Sequence, residues 1–279
     1  MIYLTPIEQS HLAYYEVDES EADAEFIGAV KDLAEDAFTV FNDDKVIGYA
    51  QCVTCEEAFA YVYIFKALRR QGFGSAAISA AEQMLQEKGA KRIVCCCDNS
   101  DERVKNFLQA LGYRIDFPSC YMEYQGAPLA TGSQKAVFRQ YRPEEYEKIH
   151  AFDAEAFHRM RLSTPWFPDS TPEAPTEEMK AEWAETAQER FVYELDAEAI
   201  GYAHLEDEEI DSISIAPAFQ GKGYGRAFLT EIVDYLITEK NVTTIGLWCV
   251  AGNEKAHSMY LSVGFKEKCC SMYLSKETV

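Results

Sequence analysis

The sequence predicts an α/β (α+β) chain of two similar domains, each a mixed sheet flanked by helices. Three observations carry this: blocks of sequence recur at a nearly constant offset, short alternating apolar runs are interleaved with longer helical ones, and a glycine turn joins strand to helix in both halves. "KVIGYAQC" at 45 to 52 returns as "EAIGYAHL" at 198 to 205, and "LRRQGFGSAAI" at 68 to 78 as "FQGKGYGRAFL" at 219 to 229. "DERVKNFLQALGYR" at 101 to 114 returns as "NEKAHSMYLSVGFK" at 253 to 266, so the three offsets are 153, 151 and 152 residues. The repeats imply an N-terminal domain over 1–126, a linker over 127–135 and a C-terminal domain over 136–279. Gly126, Pro128, Gly132 and Ser133 break any periodic pattern at that junction.

Within each half the elements follow one order. "PEEYEKIHAFDAEAFHRM" at 143 to 160 reads as an opening helix, and "RFVYELDAEAIGYAHLE" at 190 to 206 as a hairpin turning at Asp196 to Glu198. The alternation of "IDSISI" at 210 to 215 predicts a strand, followed by the glycine turn "QGKGYG" and a long helix. In the first half that helix carries Ile78, Ala81, Met84 and Leu85 at helical spacing, and Gly89 is placed to stop it. Another apolar strand, a short helix and a closing strand complete each half, "SCYMEYQ" in one and "CCSMYLS" in the other.

Composition narrows the function. The 279 residues carry a net charge of −21 from 47 acidic and 26 basic side chains, without the clustered Lys and Arg that a nucleic-acid partner requires. Apolar runs are short and broken by charge, and the N-terminus shows neither a basic leader nor an apolar core segment, which predicts a cytoplasmic protein without a membrane partner. The nine cysteines lack a disulfide-framework pattern and are expected as reduced thiols. Cys52-x-x-Cys55 has no second pair at metal spacing, so no metal site is expected.

A glycine turn between strand and helix exposes the helix's first amides at the positive end of its dipole, an arrangement that binds phosphate. A plain turn has the same spacing, so the neighbouring residues must decide. The order strand, Gln220-x-x-Gly223-x-Gly225, helix, strand, Asn253-x-x-Ala256-x-x-x-Tyr260-x-x-x-Gly264-Phe265 resembles the GNAT superfamily of acetyl-CoA-dependent N-acetyltransferases. The first half resembles it through Arg69-x-x-Gly72-x-Gly74 and the "LGYR" ending, so the chain is similar to tandem GNAT proteins.

The resemblance implies a sheet whose two central parallel strands splay to hold acetyl-CoA, the co-substrate. By position, Ile213, Ser214 and Ile215 would offer main-chain partners to its pantetheine arm. Gln220, Gly221, Lys222, Gly223, Gly225 and Arg226 would hold the pyrophosphate, with the glycines leaving room for it. Asn253 would cap its helix or touch the pantetheine arm. The acetyl group would pass directly to a primary amine, with Tyr260 in the place of the family's general acid. Glu209 corresponds to the glutamate base of the histone-acetylating branch, with Glu208 and Asp211 as rivals.

The first half departs from the pattern where chemistry is concerned. Leu108 stands in the place of Tyr260, Asp101 in that of Asn253 and Ala58 in that of Glu209. Arg69, Arg70, Gly72 and Gly74 keep the elements of a second CoA site, so this half is expected as a degenerate copy that braces the other or binds CoA without catalysis. Tyr61 and Tyr63 read as strand packing. The segment "LSTPWFPDSTPEAPTEE", with Trp166 and Phe167, falls where the family lines its acceptor site, and the surrounding acids suit a cationic small-molecule or peptide amine. A thiol-cofactor synthesis like that of mycothiol is a narrower variant. A non-catalytic CoA-binding or interaction protein is the alternative class.

Overall fold

The computed structural model describes residues 1–22, 24–54, 57–130 and 135–278. Cys55, Glu56, Gly132 and Ser133 lie outside them. The chain forms two compact units, one of Met1–Asp116 with Met272–Val279, the other of Phe117–Ser271.

Unit 1 is built from β1 (Ile2–Pro6), α1 (Ala24–Lys31), β2 (Ala37–Asn42), β3 (Lys45–Val53), β4 (Glu57–Ile64), α2 (Phe73–Glu87), β5 (Arg92–Asp98), α3 (Glu102–Ala110) and the start of β6 (Arg114–Tyr124). Strands β1 to β5 lie in sequence order. Their pairings are antiparallel except for β4 with β5, whose parallel pairing needs the crossover that α2 supplies. Helix α2 buries Ile78, Ala81 and Leu85 of the stripe that its spacing predicts, together with Ala77, while Met84 packs partly buried against the same core. It ends at Gly89, whose φ of +95° only glycine adopts freely.

Unit 2 contains the rest of β6, then β7 (Val137–Gln140), α4 (Tyr146–Leu162), α5 (Glu177–Glu185), β8 (Arg190–Leu195), β9 (Glu198–Glu206), β10 (Glu209–Ile215), α6 (Tyr224–Thr238), β11 (Ile245–Val250), α7 (Glu254–Val263) and the first part of β12 (Lys266–Glu277). Its strand order is β6-β11-β10-β9-β8-β7, with β10 and β11 parallel. The β8–β9 hairpin turns on Asp196 and Ala197, both at positive φ, a two-residue turn whose twist suits an antiparallel pair. Equivalent residues occupy equivalent rungs in the two units: Gly48 lies opposite Ile64, and Gly201 opposite Ile215.

The compact units do not follow the repeat boundaries at 126 and 136. The first repeat's closing strand pairs within unit 2, from Ile245↔Tyr124 to Val250↔Ser119. The end of β12, from the second repeat, completes unit 1. There Met272 and Leu274 enter the core, Lys276 pairs with Glu82 at 2.9 Å, and Ser275 bonds Asp116 at 2.8 Å. The two closing strands have similar apolar patterns, so nothing local in the sequence decides which sheet each one completes.

The thiol expectation is corrected at one pair. Cys120 on β6 and Cys270 on β12 form a disulfide within unit 2, because the exchanged strand places their Cα atoms 4.0 Å apart. Cys52, Cys95 and Cys249 are buried as small apolar residues, and burial pushes their thiols up to about 12, 12 and 11.

The paired glycines give a test of the fold. A Cβ on Gly48 would stand 2.0 Å from the Tyr63 carbonyl oxygen, a backbone atom, whereas one on Gly201 first meets the movable Cδ1 of Ile215 at 2.8 Å. Gly48→Ala is therefore expected to cost about 3 kcal/mol and Gly201→Ala less. Denaturant unfolding of both variants checks this, and a larger loss for Gly201→Ala would contradict the described register.

Candidate active site

Strand β10 pairs with β9 along its length but with β11 only at Glu209↔Gly246 and Ile210↔Leu247. Beyond Ile210 the two parallel strands part, leaving the β11-facing edge of residues 211–215 without a strand partner. The ladder to β9 shifts between Ile210 and Ser212, which makes Asp211 a bulge. Simple alternation in "IDSISI" would put Ile210 on the face opposite Ile213 and Ile215. The bulge resets it: all three meet the core under α6, while Ser212 and Ser214 face α4.

Past Ile215 the chain enters the glycine turn. Gly221 and Gly223 have φ of +73° and +87°, and a Cβ on either would meet nothing within 4 Å. Backbone conformation requires these glycines, and the space beside them is open. Gly223 is the N-cap of α6 and offers no side-chain cap, so the first amides of a 15-residue helix are left for an external acceptor. A Cβ on Gly225 would touch Met259 Sδ at 3.3 Å and Ile215 Cγ1 at 3.6 Å, so here the turn also packs closely against α7 and the end of β10.

The polar side chains of the turn brace it. Gln220 Nε2 donates to the Ile215 carbonyl at 2.8 Å, Lys222 Nζ to that of Ala218 at 2.8 Å, and Arg226 to that of Ser262 at 3.1 Å. Lys222 and Arg226 remain exposed beside the open turn, where two cations favour an anionic group.

Tyr260 is 7% exposed in the unit 2 core, and burial holds its hydroxyl firmly protonated, with the neighbouring Cys249 adding to the effect. Asn253 caps α7 by accepting from the Ala256 amide at 3.4 Å. Glu209 sits on the last paired rungs of β10, roughly 20 Å along the strand from Ile215 at 3.3 Å per residue, and accepts from the Tyr121 hydroxyl at 3.0 Å. The structure thus gathers Ile213, Ile215, Gly225 and Tyr260 around one core but sets Glu209 at the opposite end of the strand.

One group was missed by the sequence reading. Asp153, on α4, accepts from Ser214 Oγ at 2.6 Å and borders a cavity of about 180 Å³ with Ala154, Phe157, Arg161, Glu173 and Ser212. Burial raises its carboxyl to about 7. No motif marks it, since its partner lies 61 residues away. The proline-rich segment after α4 contributes Glu173 to this wall. Its Trp166 is anchored on the Ala251 carbonyl at 2.9 Å, and Phe167 packs on Phe117 at 5.1 Å.

Unit 1 repeats the plan and fills it. Strand β4 leaves β5 after Phe59↔Val94, but its ladder to β3 runs without a shift. Gly72 has φ of +86°, a Cβ on Gly74 would meet the Phe107 ring at 3.4 Å, and Arg70 takes the left-handed place of Gly221 at +65°. Arg69 donates to the Ile64 carbonyl at 2.9 Å, as Gln220 does to that of Ile215. Its guanidinium is also engaged by Glu21 at 2.8 Å and the Tyr63 ring at 4.9 Å, while Lys66 pairs with the same Glu21 at 2.9 Å. Tyr61 and Tyr63 occupy the places of Ser212 and Ser214, with Phe26 packed on them at 4.6 and 6.2 Å. Leu108 is buried where unit 2 has Tyr260, and Asp101 caps α3 as Asn253 caps α7.

Among the described residues, Cys120, Glu267 and Cys270 bring metal-ligating atoms within reach of one another, but a disulfide takes both sulfurs. No described helix is long and apolar enough to cross a membrane.

A bulged strand that parts from its parallel neighbour beside an open glycine turn is the arrangement that the sequence resemblance implies. The chain belongs to the Acetyltransferase (GNAT) family, whose sequence profile matches it twice, over residues 4–113 and 156–265. It is 44% identical over 57 residues to a mycothiol acetyltransferase of Renibacterium salmoninarum, a match spanning 20% of this chain and 17% of the relative. To a spermidine N(1)-acetyltransferase of Vibrio cholerae it is 34% identical over 84 residues, spanning 30% of this chain and 47% of the relative. The chain thus spans less than half the length of either relative.

Among solved structures, a GCN5-related N-acetyltransferase from Sphaerobacter thermophilus superposes with a TM-score of 0.68 at 17% identity, covering 99% of this chain and 95% of that one. A tandem GNAT protein from the clavulanic acid biosynthesis pathway gives 0.59 at 13%, covering 99% and 98%. The chain is accordingly a tandem GNAT protein in fold.

Proposed function

We propose that the protein is an acetyl-CoA-dependent N-acetyltransferase acting on a primary amine at one site, in unit 2. The parting of β10 from β11 beside the uncapped, open turn at Gly223 carries this reading. The residues fit the donor: the turn has two left-handed glycines, free amides and two exposed cations, and the strand edge over 211–215 is unpaired. Acetyl-CoA supplies the acyl group as an activated thioester. Main-chain groups of Ile213, Ser214 and Ile215 hold the pantetheine arm, and Gly221, Lys222, Gly223 and Arg226 hold the pyrophosphate. Gln220 and Gly225 shape that turn, and Asn253 positions α7. Tyr260 protonates the departing thiolate, a role its firmly protonated hydroxyl suits.

Unit 1 serves as a non-catalytic copy. Its Lys66 and Arg69 are held by Glu21, its strand face is filled by tyrosines, and leucine stands in place of the acid. The acceptor is a small, cationic amine, favoured by the acidic surface and by the spermidine named for the Vibrio cholerae relative.

Acetyl-CoA turnover against a panel of spermidine, glucosamine, lysine and a lysine peptide tests the reading, with Glu209→Gln assayed beside the wild type. Turnover of at least one amine is expected. Binding of acetyl-CoA with no turnover of any amine would make the protein a CoA-binding module instead. If Glu209 is the base, Glu209→Gln lowers kcat and displaces the acidic limb of the pH profile, whereas an unchanged profile removes it from that role.

A further inference from the structure

We propose that Asp153 is the base that takes the proton of the acceptor ammonium, and that the cavity in front of it is the acceptor subsite. This rests on the N-acetyltransferase reading and assigns its missing proton acceptor. The cavity holds about 180 Å³, room for roughly six waters at about 30 Å³ each, a volume that suits the head of an alkyl amine. Ser212 belongs both to its wall and to the stretch of β10 that has parted from β11, which ties the cavity to the acyl-donor gap. Phe157 gives the wall an apolar side for an alkyl chain, and Glu173 adds a second carboxylate.

The groups around Asp153 set its proton affinity. Burial raises it most, and Glu173 from the segment before α5 raises it further. Ser214 of β10, Arg190 of β8 and Arg161 of α4 itself act in the opposite direction, and the net result lies at about 7. Tyr202 of β9 also faces the carboxylate. A base poised near neutrality is the one that proton transfer at physiological pH favours. Glu209 lies outside the cavity wall, held by Tyr121 on the last paired rungs of β10. Unit 1 supplies the contrast: tyrosines at 61 and 63 stand in place of the two serines, and Phe26 fills the space against them.

The step balances. Asp153 carboxylate takes one proton from the ammonium, and the freed nitrogen lone pair forms the C–N bond to the acetyl carbon while the C–S bond breaks. The thiolate takes the Tyr260 proton, the second nitrogen proton restores the tyrosine, and Asp153 releases its own proton to solvent. One proton is produced per acetyl group transferred.

The test is a pH–rate series on the amine panel for wild type, Asp153→Asn, Ser214→Ala and Glu209→Gln, with acetyl-CoA affinity measured for each. For the wild type, kcat/KM is expected to rise with pH through about 7. Asp153→Asn should lower kcat about 100-fold or more and abolish that limb while acetyl-CoA affinity holds. Ser214→Ala removes a hydrogen bond to the ionised form, so its limb should move to higher pH. Stability gives an independent readout. The folded carboxyl ionises well above its unfolded value, so Asp153→Asn should gain thermal stability over wild type as pH rises from about 4 to about 7, then hold that gain.

A limb that survives in Asp153→Asn, or that moves only in Glu209→Gln, overturns the assignment and leaves the acetyltransferase reading standing. A wild type that turns over no amine overturns both. Should Asp153→Asn lose acetyl-CoA binding through misfolding, the displacement of the limb in Ser214→Ala decides, and an unmoved limb there overturns the assignment.

Discussion

Tyr260→Phe is expected to lower kcat by about 100- to 10,000-fold, the range for losing a positioned general acid, while acetyl-CoA affinity and unfolding midpoint stay close to wild type. The substitution removes one oxygen from a ring whose packing against the unit 2 core is otherwise kept. Affinity should hold because the pyrophosphate cradle lies on α6, whereas Tyr260 lies on α7. A rate within a few-fold of wild type would show that the thiolate leaves without this acid. The reciprocal change, Leu108→Tyr in unit 1, is expected to create no activity, because tyrosines stand there in place of the serines and the β3–β4 ladder lacks the bulge.

Gly223→Val is expected to weaken acetyl-CoA binding by about 10- to 100-fold, and Gly72→Val to leave it unchanged. Both glycines have nearly the same left-handed φ, +87° and +86°, and both have open space at the Cβ position. A β-branched residue costs on the order of 1–3 kcal/mol in that conformation, so the turn in each variant rearranges. The consequence for binding differs because unit 2 presents Lys222 and Arg226 beside its turn, whereas Glu21 already engages Arg69 and Lys66 in unit 1. Isothermal titration of the two variants separates these outcomes. Equal losses would mean that both turns bind.

What the sequence made legible is what local spacing encodes. The repeats, the glycine turn, the helix that Gly89 ends and the cap at Asn253 all depend on residues a few positions apart, and the structure has each in its expected place. What escaped depends on partners distant in the chain. The bulge at Asp211 breaks the period of "IDSISI" without changing its letters, and so reverses which isoleucine shares a face with which. The close approach of Gly225 to Met259, 34 positions on, is likewise invisible in the local spacing.

The exchange of closing strands, and with it the Cys120–Cys270 disulfide across 150 residues, follows from which sheet each strand completes. Similar end strands carry no sign of that choice. Asp153 stands in an ordinary helical pattern and gains significance only from Ser214 and the cavity. Likewise, Arg69 of the expected second CoA site pairs with Glu21, 48 residues before it.

The asymmetry between the copies is the core of the account. The two units share one plan and turn, yet the first carries two tyrosines where the second has serines, a leucine where it has Tyr260, and Arg70 where it has Gly221. The tyrosines take up space, and the leucine lacks a proton to give.

The most direct measurement is the stoichiometry of acetyl-CoA binding to the intact chain, by calorimetric titration or native mass spectrometry. The account predicts one acetyl-CoA per chain, bound about 10- to 100-fold more weakly in Gly223→Val and with unchanged affinity in Gly72→Val. Two bound per chain, or one whose affinity Gly223→Val leaves unchanged, would contradict it.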